Sequence, residues 1–386
     1  MASFPDDYPT VAAVLERVLD AGGDSEDSAA RRFDRLIEAG CLPPAYLYAH
    51  RTDRPLPPSA REAWKRHLMR QSIYRREVGR LLAAVEPLPV AVLKGEPLSW
   101  QLFDDGRARQ SADLDLIVLP DDVGRAIEVA RELGYRSQYD HPVDPAATNQ
   151  WRGLHRRHEA MLEIHWRLDF PDVPTPPTRE LLARATIVDC DGLDVPALSL
   201  PDACLAVAYK FHRDFGSLKA LLDAAAFVDR HGPPIEHVDV VERARALNAE
   251  SLTDWPLETL RLFSSHDPGP RLAPDRAVTE LFGRLAARLL EREFVDLAPP
   301  GPIARLLRSH PALFGFGRQL RRAASLVMFS DWHEHPERAL HPLLFGRSRI
   351  GRCARGLLRQ LGREPPTVYG PSEWPDRDAF EQNGSS

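Results

Sequence analysis

Asp113 and Asp115 stand two residues apart at the head of an apolar, branched run, Ser111-Ala112-Asp113-Leu114-Asp115-Leu116-Ile117-Val118. In a β-strand, residues i and i+2 share a face. The two carboxylates are therefore expected side by side, with Leu114 and Leu116 entering a core. Adjacent like charges on a strand repel each other. A divalent cation removes that cost and explains the pair better than a solvated strand end does. Magnesium takes one or two protein carboxylates and fills the rest of its shell with water and phosphate oxygens, so the pair points to a metal-phosphate site. The same repulsion predicts that Asp115→Ala leaves the fold intact.

Residues of a matching type lie on both sides. Pro89-Val90-Ala91-Val92-Leu93-Lys94-Gly95 reads as a buried strand that ends in glycine and feeds a helix through Pro97. Glycine at such a turn lets backbone N–H groups approach an anion, and the helix N-terminus favours negative charge. Lys94 adds a point charge for a phosphate. Downstream, residues 161–168 alternate. Leu162, Ile164, Trp166 and Leu168 form one face; Glu163, His165 and Arg167 form the other. If this strand lies beside the aspartate strand, Glu163 becomes a third carboxylate.

The order Leu93-Lys94-Gly95, then Arg109-Gln110-Ser111-Ala112-Asp113-Leu114-Asp115-Leu116, then Glu163-Ile164-His165-Trp166 resembles the uncharacterised nucleotidyltransferase family of bacteria, part of the DNA-polymerase-beta-like superfamily. Weaker similarity extends to Leu198-Ser199-Leu200-Pro201-Asp202, Phe211-His212 and Leu221-Leu222-Asp223. The resemblance implies transfer of a nucleoside monophosphate from an NTP donor to an acceptor, with release of pyrophosphate. It implies that Asp113, Asp115 and Glu163 hold Mg2+ (or Mn2+), with Glu163 also helping an acceptor hydroxyl lose its proton. Lys94, Gly95, Arg109 and Ser111 would contact the triphosphate, Arg109 through paired hydrogen bonds, with Arg107 as its substitute. His165 would orient Glu163 or touch the acceptor. One departure stands out. The superfamily commonly carries Gly-Ser in the first turn, whereas here Gly95 is followed by Glu96, which would repel a triphosphate unless it faces away or binds a metal.

Two other readings compete. A catalytically inactive nucleotide- or partner-binding module would account for Glu96. A metal-dependent hydrolase would use the cluster His155, His158 and His165, with zinc. On one strand His158 and Glu163 point to opposite faces, being an odd number of residues apart; a hairpin between them restores the cluster.

The elements that must position these residues read as α+β, a small mixed-sheet nucleotidyltransferase core flanked by N-terminal helices and a C-terminal helical domain. Residues 1–58 form the N-terminal helical segment and 59–175 the core. The core opens on a long helix to Val85, capped by Ser59 with Glu62 as in a capping box. A strand at 90–93, a helix at 97–103, a strand at 114–119 and a helix at 120–133, closed by Gly134, follow. Asp191-Gly192 should turn a hairpin over 186–198. Residues 176–363 are mainly helical, with helices at 202–215, 218–230, 235–247, 252–263 and 277–293. The segment 364–386 reads as a disordered tail.

Composition sets outer bounds. The chain has 386 residues, 43% hydrophobic and 27% charged, with net charge −6. That is an ordinary globular balance without a global nucleic-acid signature. The stretch 303–363 differs, with twelve arginines, no lysine and three acidic residues (Asp331, Glu334, Glu337), a net +9 against −15 for the remainder. It suits an anionic partner, or else a solvated amphipathic tail. No run of 18 apolar residues occurs, so no integral membrane association is expected. The first residues lack a signal-peptide pattern. Cys41, Cys190, Cys204 and Cys353 show no metal or redox spacing and read as free thiols of a cytoplasmic protein.

Overall fold

Proline starts and glycine turns divide the chain into its elements. In the computed structural model, which describes residues 7–21, 26–137, 149–155, 160–169, 175–214, 217–264, 267–273 and 276–295, three helices come first: α1 (Pro9–Leu19), α2 (Glu26–Glu38) and α3 (Leu42–Arg51). A long helix α4 (Pro58–Val85) follows. α1, α3 and α4 each carry proline in the first turn, where the missing N–H is no loss and φ is already helical. This corrects the expected cap of α4. The helix begins at Pro58 behind Pro57, so Ser59 sits inside the first turn and caps nothing.

The chain then runs through β1 (Val90–Val92), α5 (Glu96–Phe103), β2 (Asp113–Val118), α6 (Val123–Glu132), β3 (Tyr135–Ser137), β4 (Gln150–His155) and β5 (Met161–His165). A 3-10 turn at Pro120–Asp122 precedes α6, and Gly134 follows it at φ 103°. Next come α7 (Thr178–Ala183) and the hairpin β6 (Thr186–Asp189) and β7 (Asp194–Ala197). Asp191 and Gly192 both take positive φ, 60° and 85°, as a tight two-residue turn requires. The described remainder is mainly helical: α8 (Leu200–Arg213), α9 (Leu218–His231), α10 (Val238–Ala246), α11 (Glu250–Phe263) and α12 (Arg276–Leu290). The basic stretch 303–363, the tail 364–386, Cys353 and His158 lie outside the described residues.

The seven strands form one mixed sheet in the order β3-β4-β5-β2-β1-β7-β6. β2 is central, antiparallel to β1 and parallel to β5. Parallel register pairs Asp113 with Met161, Asp115 with Glu163 and Ile117 with His165, so the polar side chains of both strands emerge on one face. The other face is apolar. Leu114, Leu116, Leu162, Ile164 and Trp166 pack there with Tyr74, Val78 and Leu81 of α4 and Val123, Ala126 and Ala130 of α6. On the polar side, Ala91, Leu93 and Ile117 join a larger apolar cluster. That cluster unites α1, α2 and α3 with α8, α9 and α11, so the N-terminal helices and those beyond residue 200 share a core. No described helix is long and apolar enough to cross a membrane.

One ion pair ties the sheet to the helices. Arg109, just before β2, donates through Nε to both carboxyl oxygens of Asp223 on α9, at 2.9 and 3.0 Å. Both side chains are buried, each 4% exposed. Removing one partner of such a pair strands a buried charge, at a cost of about 3–5 kcal/mol. Asp223→Ala should lower unfolding free energy by about that amount in urea denaturation. A joint Arg109→Met and Asp223→Leu exchange should recover most of it.

Candidate functional site

β2 and β5 place the central groups. Asp115 and Glu163 are register partners on parallel strands. His165, two residues beyond Glu163, returns across both. Its Nε2 lies 3.0 Å from Asp115 Oδ1 and 3.3 Å from Glu163 Oε2. Two further cations close the ring. The Leu93 amide donates to the Asp115 carbonyl at 3.0 Å, which sets Lys94 beside it. Lys94 Nζ is 2.8 Å from Asp115 Oδ1 and 3.5 Å from Asp113 Oδ2. Arg152 on β4 faces Glu163 in the ladder, with Nε 2.7 Å from Oε1. Sequence reading missed Arg152, because residue type alone does not reveal a cross-strand partner.

These neighbours overturn the expectation about Asp115→Ala. Asp115 is not chiefly a repelled neighbour of Asp113. It is 1% exposed and holds the half-buried Lys94 ammonium and a buried imidazole. Truncating it leaves both uncompensated, so the alanine variant should be destabilised by about 3–5 kcal/mol.

Protonation follows from the same geometry. Burial alone would push Lys94 down, but Asp115 and Asp113 hold its charge and raise it. Burial would raise Asp115; Lys94 and His165 outweigh that and lower it. Glu163 is likewise drawn down to about 2, its burial outweighed by His165 and Lys94. Burial would lower His165, yet its hydrogen bonds to Asp115 and Glu163 hold it above the usual histidine range.

The turn after β1 forms the second part. Gly95 sits at φ 89° at the head of α5, a conformation that side chains disfavour. A Cβ there would lie 3.4 Å from Ser111 Oγ. That hydroxyl is buried and has no hydrogen-bond partner among the described residues. Lys94, Gly95, Arg109, Ser111 and Asp113 share the lining of a cleft of about 450 Å³. Arg109 reaches it with Nε already engaged by Asp223, and Arg107 is paired with Asp105 at 2.7 Å. Glu96 faces Arg75 of α4, which pairs with its carboxylate and with Asp191. The carboxylate in place of serine is thus charge-balanced from α4, by a residue 21 positions upstream that the sequence had not singled out.

The segment carrying Arg109 and Ser111 is fastened from several sides. Tyr74 donates to the Ala112 carbonyl at 2.6 Å, His67 Nε2 lies 2.9 Å from the Arg107 carbonyl, and Gln71 donates to the Gly106 carbonyl. Lys219 of α9 donates to the Gln110 carbonyl at 2.5 Å. Burial and nearby Arg109 bring Lys219 down to about 8.

Asp115, Glu163 and His165 each offer a ligand atom, all within 4.8 Å of one another. Asp115 Oδ2 is buried without a hydrogen-bond partner among the described residues. Two carboxylates and an imidazole around an unsatisfied oxygen fit a divalent cation. Asp113 stands outside this closest group. The alternative histidine cluster does not form from His155 and His165. Gln150, not His155, is the register partner of His165. His155 lies five residues further along β4, about 17 Å at strand rise. There it packs edge-on against Tyr135 and sits 3.2 Å from the Leu133 carbonyl.

The family model described as uncharacterised nucleotidyltransferase matches residues 31–258. That span covers more than half of the chain and every site residue above, and the chain belongs to this family. No curated protein matches it.

The raised His165 also sets a pH dependence. A folded pKa above the unfolded value of 6.5 adds stability that is complete below 6.5 and lost as pH rises through the folded pKa. In chelator-treated protein the urea midpoint should therefore fall as pH rises above about 6.5. His165→Gln should flatten that profile.

Proposed function

We propose that this member of the nucleotidyltransferase family moves a nucleoside monophosphate from an NTP to an acceptor hydroxyl and releases pyrophosphate. One observation carries the reading: Asp115, Glu163 and His165 converge beside the Lys94-Gly95 turn. Asp115 and Glu163, with Asp113 as a further carboxylate on the same strand face, would hold Mg2+ (or Mn2+), and His165 would orient the two buried carboxylates. The bound cation would supply Lewis-acid stabilisation of the phosphate and acceptor oxygens.

The chain's own groups do the rest. The acceptor oxygen attacks the α-phosphorus, the bond from that phosphorus to the bridging oxygen breaks, and pyrophosphate leaves with the electron pair. Glu163, held ionised by His165 and Lys94, helps the acceptor hydroxyl lose its proton through its negative charge, the proton passing to water. Lys94 and the amides at Gly95 balance charge on the departing phosphates, and Ser111 donates its hydroxyl to them. Arg109 acts through position, fixing that segment against α9. Little covalent chemistry is left for the protein beyond holding and charge stabilisation. The core at 59–175 would carry this donor chemistry, and the helical region at 176–363 would select the acceptor. Cys41, Cys190 and Cys204 are free and buried, which fits a cytoplasmic protein. The inactive-module reading rests on Glu96, whose charge Arg75 meets.

The direct test is thermal stability with each of the four NTPs, with and without magnesium, beside Asp115→Asn. Asparagine removes the charge as alanine does but keeps the shape and an oxygen that accepts from Lys94. A ligand bound only by the folded state raises the midpoint by mass action. A magnesium-dependent rise with at least one NTP, absent in the variant, is expected; no rise with any NTP would sink the reading. With that NTP labelled, Glu163→Gln should slow transfer by about 100-fold or more while NTP affinity stays within about threefold.

A further inference from the structure

A second cleft, of about 520 Å³, opens on the other side of Lys94. One wall is the end of β1 at Leu93 and Lys94, with His165 and Asp169 beside it. The other is α8, through Val207, Lys210 and Arg213. These three are spaced by three residues and so share one helix face.

That face sets two cations against one carboxylate of α8, with a second carboxylate, Asp169, across the cleft. Lys210 Nζ is 2.6 Å from Asp214 Oδ2, and Arg213 Nε is 3.9 Å from Asp214 Oδ1, so one carboxylate stands between two cations. Arg109, also in the wall, is already matched by Asp223. Asp169 attracts Arg213 from across the cleft, and Arg213 is close enough to feel Glu163 and Asp115. Burial and the charges of Arg213 and Lys94 hold Lys210 below the ordinary lysine range despite Asp214. The dipole of α8 accommodates cations in its last turn, but it does not explain why they line a cleft opposite the catalytic carboxylates. Leu93, Leu98, Val207 and Tyr209 give the same cleft an apolar side.

We propose that this second cleft is the acceptor site, and that Lys210 and Arg213 bind an anionic group, carboxylate or phosphate, carried by a small hydroxylated acceptor with an apolar body. The proposal rests on the nucleotidyl-transfer reading. The triphosphate occupies the first cleft, along Gly95, Ser111 and Asp113. Lys94 and Arg109 line both clefts, so the phosphoryl group in transfer lies between them. Bond making and breaking are those of the transfer already described, and α8 contributes binding alone.

The test titrates inorganic phosphate, and separately acetate, into the full chain saturated with magnesium and a non-hydrolysable analogue of the NTP that stabilises it. Calorimetry should show one saturable site for at least one anion. The tighter of the two tells a phosphate-bearing acceptor from a carboxylate-bearing one. Lys210→Met with Arg213→Met should weaken it by about 10- to 100-fold, the loss expected for charge-assisted hydrogen bonds. Lys210→Arg with Arg213→Lys, which keeps the charge, should retain it and shows that the helix still folds. Affinity for the magnesium-bound analogue should stay within about twofold in all variants. Absence of saturable anion binding, or equal binding in the methionine variant, overturns the proposal. Loss of analogue affinity in that variant also overturns it, because the cleft then belongs to the donor. A wild-type chain that binds no NTP sinks the transfer reading instead, and anion binding to the nucleotide-free chain then separates the two failures.

Discussion

Asp115 and Glu163 face each other across parallel strands in the interior of the sheet, and the surrounding structure is arranged so that two buried carboxylates can coexist there. Buried charge is tolerated only when it is paired and hydrogen-bonded. Lys94, His165 and Arg152 supply the pairing from three different strands or strand ends. Each comes from a neighbour in the strand order, so the sheet topology and the charge balance are one arrangement. The cost of assembling like charges is met by proximity to cations, and the same proximity keeps the carboxylates ionised and able to receive a metal.

The second requirement is a fixed approach to that centre. The segment from α5 to β2 has no regular structure to stiffen it, and it carries Arg109 and Ser111. It is held by Tyr74, His67 and Gln71 from α4 on one side and by Asp223 and Lys219 from α9 on the other. Side-chain bonds to backbone carbonyls do here what a ladder does in a strand. The helices beyond residue 200 therefore belong to the site as supports, and through α8 they also form one wall of a cleft beside it. Arg75 works in the same manner at Glu96, making the carboxylate that follows Gly95 one side of an ion pair.

Much was legible in the sequence because it depended on local rules. Alternation in the two strands, glycine at the turn after Lys94, the Asp191-Gly192 hairpin and most helices follow from period and turn chemistry. The pairing of the aspartate strand with the Glu163 strand was a conditional reading that the register bears out. Where local rules misled, a stronger local constraint had won. Proline at 57 and 58 displaced the serine cap.

By itself the sequence determined which groups could do chemistry and that Asp113 and Asp115 share a strand face, because side-chain direction along a strand depends only on residue spacing. Tertiary structure alone decided who balances them. Arg152, Arg75, Asp223 and the α8 cations lie between eleven and more than a hundred positions from the groups they serve. Coulomb and hydrogen-bond energies depend on distance in space, and no spacing along the chain encodes that distance.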